Sequence, residues 1–128
     1  MTGGQMAPTT MPGQVTTTSP YGRKAEIQGL PIRVCEMLAT LDGTAYAERV
    51  AADCVKNIRA TKKALKKAFE YQIAKKGFSI IEVLSNCPTY WGKSPADSLE
   101  WIRTDMIPYY PLGVYKDVGA NQNSKEGE

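Results

Sequence analysis

Phe78-Ser79-Ile80-Ile81-Glu82-Val83-Leu84, followed by Ser85-Asn86-Cys87-Pro88-Thr89, is the stretch that decides the fold. A short apolar run rich in β-branched residues and closed by turn formers reads as a buried strand. Upstream, Cys54 to Lys76 puts Ile58, Leu65, Phe69 and Ile73 on one helical face, with Ala68 beside them. Lys62, Lys63, Lys66 and Lys67 lie mainly away from that face. Asp53 suits the N-cap of this helix and Gly77 the residue just past its end. Ala45 to Ala52 reads as a further strand. Before it, Pro31 opens a helix with Ile32, Cys35, Leu38 and Leu41 at helical spacing, stopped by Asp42-Gly43. Downstream, Ser94-Pro95-Ala96-Asp97 is a capping box with proline at the first helical position. Leu99, Ile102 and Met106 continue that helix until Pro108 and Pro111 end it.

Strands alternating with connecting helices imply a parallel α/β sheet. Two parallel strands make a poor sheet, because such strands are normally covered on both faces and seldom stand in pairs. The expectation is therefore part of a larger α/β domain, its other strands preceding residue 1 or supplied by another chain. Residues 1–31 hold Gly3-Gly4, Pro8, Pro12-Gly13, Ser19-Pro20 and Gly29-Leu30-Pro31, and almost no large apolar side chains. Such a segment cannot form a core alone, and reads as a binding loop or one that lies against something else. The tail from Asn121 to Glu128 is polar and is expected to fray.

The chain has 128 residues, enough for one domain, with 42% hydrophobic and 23% charged residues, a globular balance. It contains no histidine, which excludes Ser-His-Asp and Cys-His triads and every His-containing metal site within it. The net charge of +3 is too mild to argue for nucleic acid. Cys35, Cys54 and Cys87 are odd in number and form no CxxC pair, a pattern of reduced thiols in a cytoplasmic protein. No apolar run reaches the roughly 18–20 residues of a membrane span, and the N-terminus lacks the apolar core of a secretory signal.

Three features could carry chemistry. In Met1-Thr2-Gly3-Gly4-Gln5 the paired glycines permit close backbone approach, and exposed N–H groups can hold phosphate oxygens. A flexible start is the plainer reading. A phage-derived epitope tag begins similarly but has a second Gln after Gln5, where this chain has Met6. Cys87 sits just past the carboxyl end of a parallel strand, the edge where open α/β sheets place ligands; a small buried thiol is the alternative. Residues 56–76 hold Arg59 and seven lysines, half of the 16 basic residues. They suit either a solvated helix face or a small basic module binding nucleic acid or an anionic surface through the helix at 54–76. Glu48, Glu82, Asp97 and Glu100 show no pairing that reads as acid–base machinery.

Taken together, Met1 to Thr10, Thr16-Thr17-Thr18-Ser19-Pro20-Tyr21-Gly22-Arg23, Phe78 to Thr89 and Ile107-Pro108-Tyr109-Tyr110-Pro111-Leu112-Gly113-Val114-Tyr115 resemble the thiamine-diphosphate-binding β subunit of 2-oxoacid:ferredoxin oxidoreductases. The branched-chain 2-oxoacid and 2-oxoglutarate types are the most similar. The resemblance covers residues 1–118, as the C-terminal part of a thiamine-diphosphate-binding domain, with 119–128 as a polar tail. It implies a partial α/β thiamine-diphosphate fold of parallel strands with flanking helices, its N-terminal half missing. It further implies oxidative decarboxylation of a 2-oxoacid to its acyl-CoA, with coenzyme A as acceptor and electrons passed to ferredoxin. The cofactors implied for a complete subunit are thiamine diphosphate, Mg2+ and a four-iron four-sulfur cluster. Met1, Thr2, Gly3, Gly4 and Gln5 would border the thiamine cofactor, and Cys87 matches the last of four cluster cysteines. Implied partners are the missing N-terminal half or another β-subunit chain, the α and γ subunits, and ferredoxin; no membrane or nucleic acid is implied.

The family's Gly-Asp-Gly-Asp magnesium motif, its Asn ligand and its other three cluster cysteines lie upstream of the matching region, and none is in this chain. The expectation is a fragment, a split-gene product or a truncated reading frame that is inactive by itself.

Overall fold

A computed structural model describes residues 6–120. The elements run α1 (Ala25–Gln28), α2 (Val34–Ala39), β1 (Thr44–Ala51), α3 (Val55–Ile73), β2 (Phe78–Leu84), α4 (Pro88–Trp91), α5 (Pro95–Trp101), a π-helical stretch (Ile102–Met106), α6 (Ile107–Tyr109) and β3 (Gly113–Asp117). The sheet order is β2-β1-β3. β1 and β2 pair in parallel, from Thr44 opposite Phe78 to Ala51 opposite Leu84. β3 adds an antiparallel edge on the other side of β1.

The sheet is thus mixed and has three strands rather than the two parallel ones expected from the sequence. β3 escapes a pattern reading because Val114-Tyr115-Lys116-Asp117 holds only a short run between a proline-rich turn and a polar tail. As the central strand, β1 is buried along nearly its whole length. Side chains alternate between faces along a strand. Tyr46 and Glu48 therefore meet α3, where the Lys67 ammonium sits 5.0 Å above the Tyr46 ring. Arg49 points the other way and pairs with Glu36 of α2. Helices consequently cover both faces.

Arg49 is the densest knot in the molecule. Its side chain is wholly buried and bonds Glu82 of β2 at 2.8 Å, Glu36 of α2, the Pro111 carbonyl at 3.2 Å and the Tyr115 hydroxyl at 2.6 Å. Its guanidinium also stacks 5.1 Å from the Tyr110 ring centre and 4.9 Å from that of Tyr115. One cation thereby ties α2 to all three strands.

Several local expectations need correction. Pro31 lies outside a helix that starts only at Val34. Cys54, not Asp53, occupies the N-cap of α3. The Asp53 carboxylate instead accepts from the Asn57 amide at 2.6 Å and from Arg103 at 3.1 Å, fastening α3 to the π-helical stretch. α3 ends in a Schellman pair, Lys75 N–H to the Gln72 carbonyl and Lys76 N–H to that of Tyr71, with Lys75 at φ 53° in the left-handed region. Gly77 serves a different need. A Cβ there would lie 2.6 Å from the Gly43 carbonyl oxygen, where the turn into β2 crosses the turn into β1. The helix begun at Pro95 does end between Pro108 and Pro111, at Tyr109, as expected, but it passes through a π-helical stretch on the way. A proline ring displaces the carbonyl four residues back, and the π-helical turn just ahead of Pro108 accommodates that interruption. The Ser94 cap is formed as expected, its hydroxyl oxygen accepting from the Asp97 N–H at 3.1 Å.

Two apolar clusters form the core. Met11, Ala51, Leu84, Ile102 and Tyr110 meet at the carboxyl ends of β1 and β2, with Trp91, Leu99 and Met106 packed around them. Ala45, Tyr46 and Tyr71 join α3 to the sheet. Among the described residues no helix is long and apolar enough to cross a membrane.

Candidate functional site

From Met6 onward the N-terminal segment is not a loose loop. Arg23, only 6% exposed, reaches inward from it and donates to six backbone carbonyls. Those of Gly29 (2.8 Å), Pro8 and Thr10 (3.0 Å each) and Leu30 (3.1 Å) are the closest. A planar guanidinium with five N–H donors is the side chain suited to gathering so many acceptors. Gly22, at φ +74°, lets the chain double back, since a Cβ there would lie 2.8 Å from the Gly13 carbonyl oxygen. The segment then packs on the rest of the domain through Met11 in the core, the Tyr110 hydroxyl on the Thr9 carbonyl (2.9 Å) and the Thr17 N–H on the Tyr90 carbonyl (3.0 Å).

This packing leaves a cleft of about 510 Å³ at the carboxyl end of β2. One wall is the ordered segment, presenting Ala7, Thr9, Thr10, Gln14, Thr16 and Thr18. The floor is Val83, Leu84, Met106 and Tyr110, and the far wall is Ser85, Cys87, Tyr90 and Trp91. In open α/β sheets the crevice beyond the strand carboxyl ends is where ligands bind, and here β2 delivers Cys87 to it.

Cys87 is half-buried and occupies the N-cap of α4, where Pro88 fixes the first helical residue. The Trp91 N–H returns to the Cys87 carbonyl at 3.0 Å. Its neighbour Asn86 donates to the Ser98 hydroxyl oxygen at 2.8 Å, and Ser98 in turn donates to the Pro95 carbonyl, so α5 holds the strand exit in place. Cys35 and Cys54 do not line the cleft. Cys35 is fully buried in α2; burial, reinforced by the Glu82 carboxylate, pushes its thiol up to about 12. Met1, Thr2, Gly3, Gly4 and Gln5 lie outside the described residues. Ala7 lines the same cleft.

The acidic residues singled out in the sequence each have a partner. Glu82 is held by Arg49, Glu48 accepts from the Tyr46 hydroxyl, Asp97 from Ser94 and Glu100 from Arg103. None forms a carboxylate pair suited to acid–base work. Among the described residues no three His, Cys, Asp or Glu side chains gather closely enough to hold a metal ion. A four-iron cluster needs four thiolates, so these residues alone do not fit one. The cleft offers one thiol, a row of hydroxyls, the Gln14 amide, the Arg49-held carboxylate of Glu82 and an apolar floor. Arg23, Arg49 and the Asn86–Ser98 pair, which shape it, carried no periodicity that a sequence pattern could register.

No protein-family profile matches the chain, and no solved structure matches it. Three archaeal relatives are informative. Ketoisovalerate oxidoreductase subunit VorA of Methanothermobacter thermautotrophicus is 39% identical over 120 residues, covering 94% of this chain and 25% of the relative. 2-Oxoglutarate synthase subunit KorB of Methanocaldococcus jannaschii is 37% identical over 112 residues, 84% of this chain and 37% of the relative. The KorB of Archaeoglobus fulgidus is 38% identical over 126 residues, 91% and 43% respectively. The chain therefore spans less than half the length of each of these relatives. Over most of its own length it is related in sequence to one segment of the 2-oxoacid oxidoreductase subunits, the family its motifs resemble.

Proposed function

We propose that the chain forms the strand-end cleft of a 2-oxoacid oxidoreductase subunit, the complete enzyme converting a 2-oxoacid to its acyl-CoA with electrons passed to ferredoxin. The observation that carries this reading is the meeting of separate stretches of the family-like sequence around one cleft: Ala7, Thr9, Thr10, Thr16 and Thr18 from the N-terminal motifs, and Ser85 and Cys87 from the motif that follows β2. Thiamine diphosphate, held with Mg2+, supplies the carbanion-stabilising chemistry that oxoacid decarboxylation requires. Met1 to Gln5 would border it through backbone N–H groups, and the hydroxyls of Thr9, Thr10, Thr16 and Thr18 would orient polar groups in the cleft. Cys87 would give one thiolate to an iron–sulfur cluster whose other ligands come from polypeptide beyond the described residues.

The described lining contains apolar and hydroxyl-bearing side chains, Gln14, Cys87 and the carboxylate of Glu82, but neither Lys nor Arg. That supports an oxoacid with an uncharged side chain over 2-oxoglutarate, whose second carboxylate calls for a cation. The partners in this reading are the polypeptide that completes the sheet beyond β2, the other subunits of the complex, and ferredoxin.

The test is purification of the complex that contains this chain, followed by assay of oxoacid- and coenzyme A-dependent reduction of a low-potential dye. The expected result is activity with 2-oxoisovalerate above that with 2-oxoglutarate, and loss of iron in Cys87→Ser but not in Cys35→Ser. Absence of oxoacid-dependent reduction overturns the assignment. Full iron in Cys87→Ser overturns the role of that thiol.

A further inference from the structure

α3 presents an apolar stripe to solvent. Val55, Ile58, Leu65, Phe69 and Ile73 are 65%, 41%, 41%, 66% and 81% exposed. At about 100° per residue these five share one flank of the helix. The sheet contact is made by the neighbouring flank, through Ala64, Ala68 and Tyr71. Leu65, Phe69 and Ile73 follow one another at intervals of four, the ridge that seats in the groove of a second helix. From Ile58 to Ile73 the stripe runs about 22 Å. Arg59, Lys62 and Lys63 border it on the side away from the sheet contact, and none of the three forms an ion pair among the described residues. Glu70 is the only acid on the helix, and it faces Lys66 at 3.7 Å.

We infer that this face of α3 docks an acidic amphipathic helix of a different polypeptide. Apolar side chains of that helix cover Leu65, Phe69 and Ile73, and its carboxylates meet Arg59, Lys62 and Lys63. The two halves of the surface decide the occupant together. A second copy of this chain would bring the same cations against each other, and like charges across an interface are strongly unfavourable. Nucleic acid would satisfy the cations through its phosphates but leave Phe69 and Ile73 in water, since phosphate contacts carry the affinity. Only a partner with both acidic and apolar stripes answers the whole face. The inference rests on this helix and is independent of the oxoacid chemistry.

Photo-crosslinking in the native host tests it. A benzophenone side chain replaces Phe69 in the full chain, and a second version carries it at the exposed Lys24 of the N-terminal segment as a control. The expected product is a crosslink from position 69 to a Glu- or Asp-rich amphipathic peptide of another polypeptide, identified by mass spectrometry. Arg59→Glu with Lys62→Glu should lower its yield by about tenfold or more, as expected for charge reversal at a complementary interface. Reversing the matching acids on the captured peptide should restore it. Circular dichroism of the variant chain checks that it is folded, and Arg59→Gln with Lys62→Gln serves in its place if it is not. A crosslink to this same chain, to nucleic acid or to lipid, no crosslink at all, or a yield indifferent to the charge changes overturns the inference.

Discussion

Arg49 and Glu82 stand directly opposite each other across the parallel pair β1 and β2, with the guanidinium Nε 2.8 Å from the carboxylate. Opposed residues in a sheet project to the same face, so the register itself creates this ion pair. The Arg49 side chain is fully buried and that of Glu82 is 15% exposed. Burying two charges is expensive, and removing one partner strands the other.

Arg49→Met should therefore destabilise the chain by about 3–5 kcal/mol, the range for a broken buried pair. Arg49→Met combined with Glu82→Gln should recover part of that loss, because one of the two stranded carboxylates is gone while Glu36 remains. Urea unfolding of the two variants beside the parent chain measures both effects. Equal midpoints for parent and Arg49→Met would show that the pair contributes nothing net.

Acid should weaken the fold through three carboxylates. Burial acts to raise Glu36, Asp53 and Asp117, but it is outweighed: Arg49 holds Glu36 below its ordinary value, Asn57 and Arg103 do so for Asp53, and Lys67 and Tyr71 for Asp117. A group lowered on folding contributes stability that is fully present above its unfolded value, about 3.9 for Asp and 4.3 for Glu. That contribution is lost as pH falls through the folded value. Thermal midpoints should drop as pH falls below about 5, reflecting those unfolded values. Asp117→Asn should flatten the drop while lowering the midpoint at neutral pH. Lys67 is raised by its bond to Asp117, so its share persists below its unfolded value and fades only as pH rises through the folded one. An Asp117→Asn profile parallel to the parent's would refute this account.

The three thiols should differ sharply in reactivity. Cys35 is buried and pushed up to about 12, whereas Cys54 and Cys87 are half-exposed. At pH 8 a thiol titrating near 12 is thiolate at only about one part in ten thousand, some thousandfold below an ordinary cysteine. Iodoacetamide should modify Cys54 and Cys87 first and reach Cys35 only on unfolding, as peptide mass mapping over time would reveal. Early labelling of Cys35 would mean that α2 opens readily from the sheet.

What could be read from the residues follows from where periodicity speaks. Phe78 to Leu84 is a strand over the very residues expected, because a β-branched apolar run bounded by Gly77 and Asn86 allows little else, but it is not the buried strand expected: β2 is an edge strand among the described residues and only Leu84 is buried. α3 was legible from its spacing, but not which flank it buries. Its large apolar side chains are exposed, and the small Ala64 and Ala68 lie against the sheet, where a close-packed helix needs small residues. Arg49 and Arg23 were silent in the pattern, since an arginine in a strand or loop reads as solvated until its acceptors, far away in sequence, are known. The position of Cys87 at the cleft was legible because it follows directly from the strand before it. The Thr-rich opposite wall was not, because a long-range fold around Arg23 brings it there.

Arg23 supplies the last test. It is 6% exposed and makes no ion pair among the described residues, so its charge is balanced by carbonyl dipoles alone. Its contacts join residues 7–10 to residues 28–30, and the Ile32 N–H closes the same junction on the Pro8 carbonyl at 3.0 Å. Arg23→Ala should destabilise by at least about 2 kcal/mol, since hydrogen bonds to a charged group are individually worth about 1.5–3. It should also expose the Ile32 amide, measured by hydrogen exchange, while amides of β1 keep their protection. The cavity left behind has the shape of a guanidinium. Non-denaturing concentrations of guanidinium ion should therefore restore Ile32 protection in Arg23→Ala and do nothing for the parent chain. Arg23→Lys should recover little, because an ammonium keeps the charge but lacks the planar fork that reaches both sides of the junction. Undiminished Ile32 protection in Arg23→Ala would mean that the cleft wall holds together without the arginine, through Met11 and Tyr110 alone.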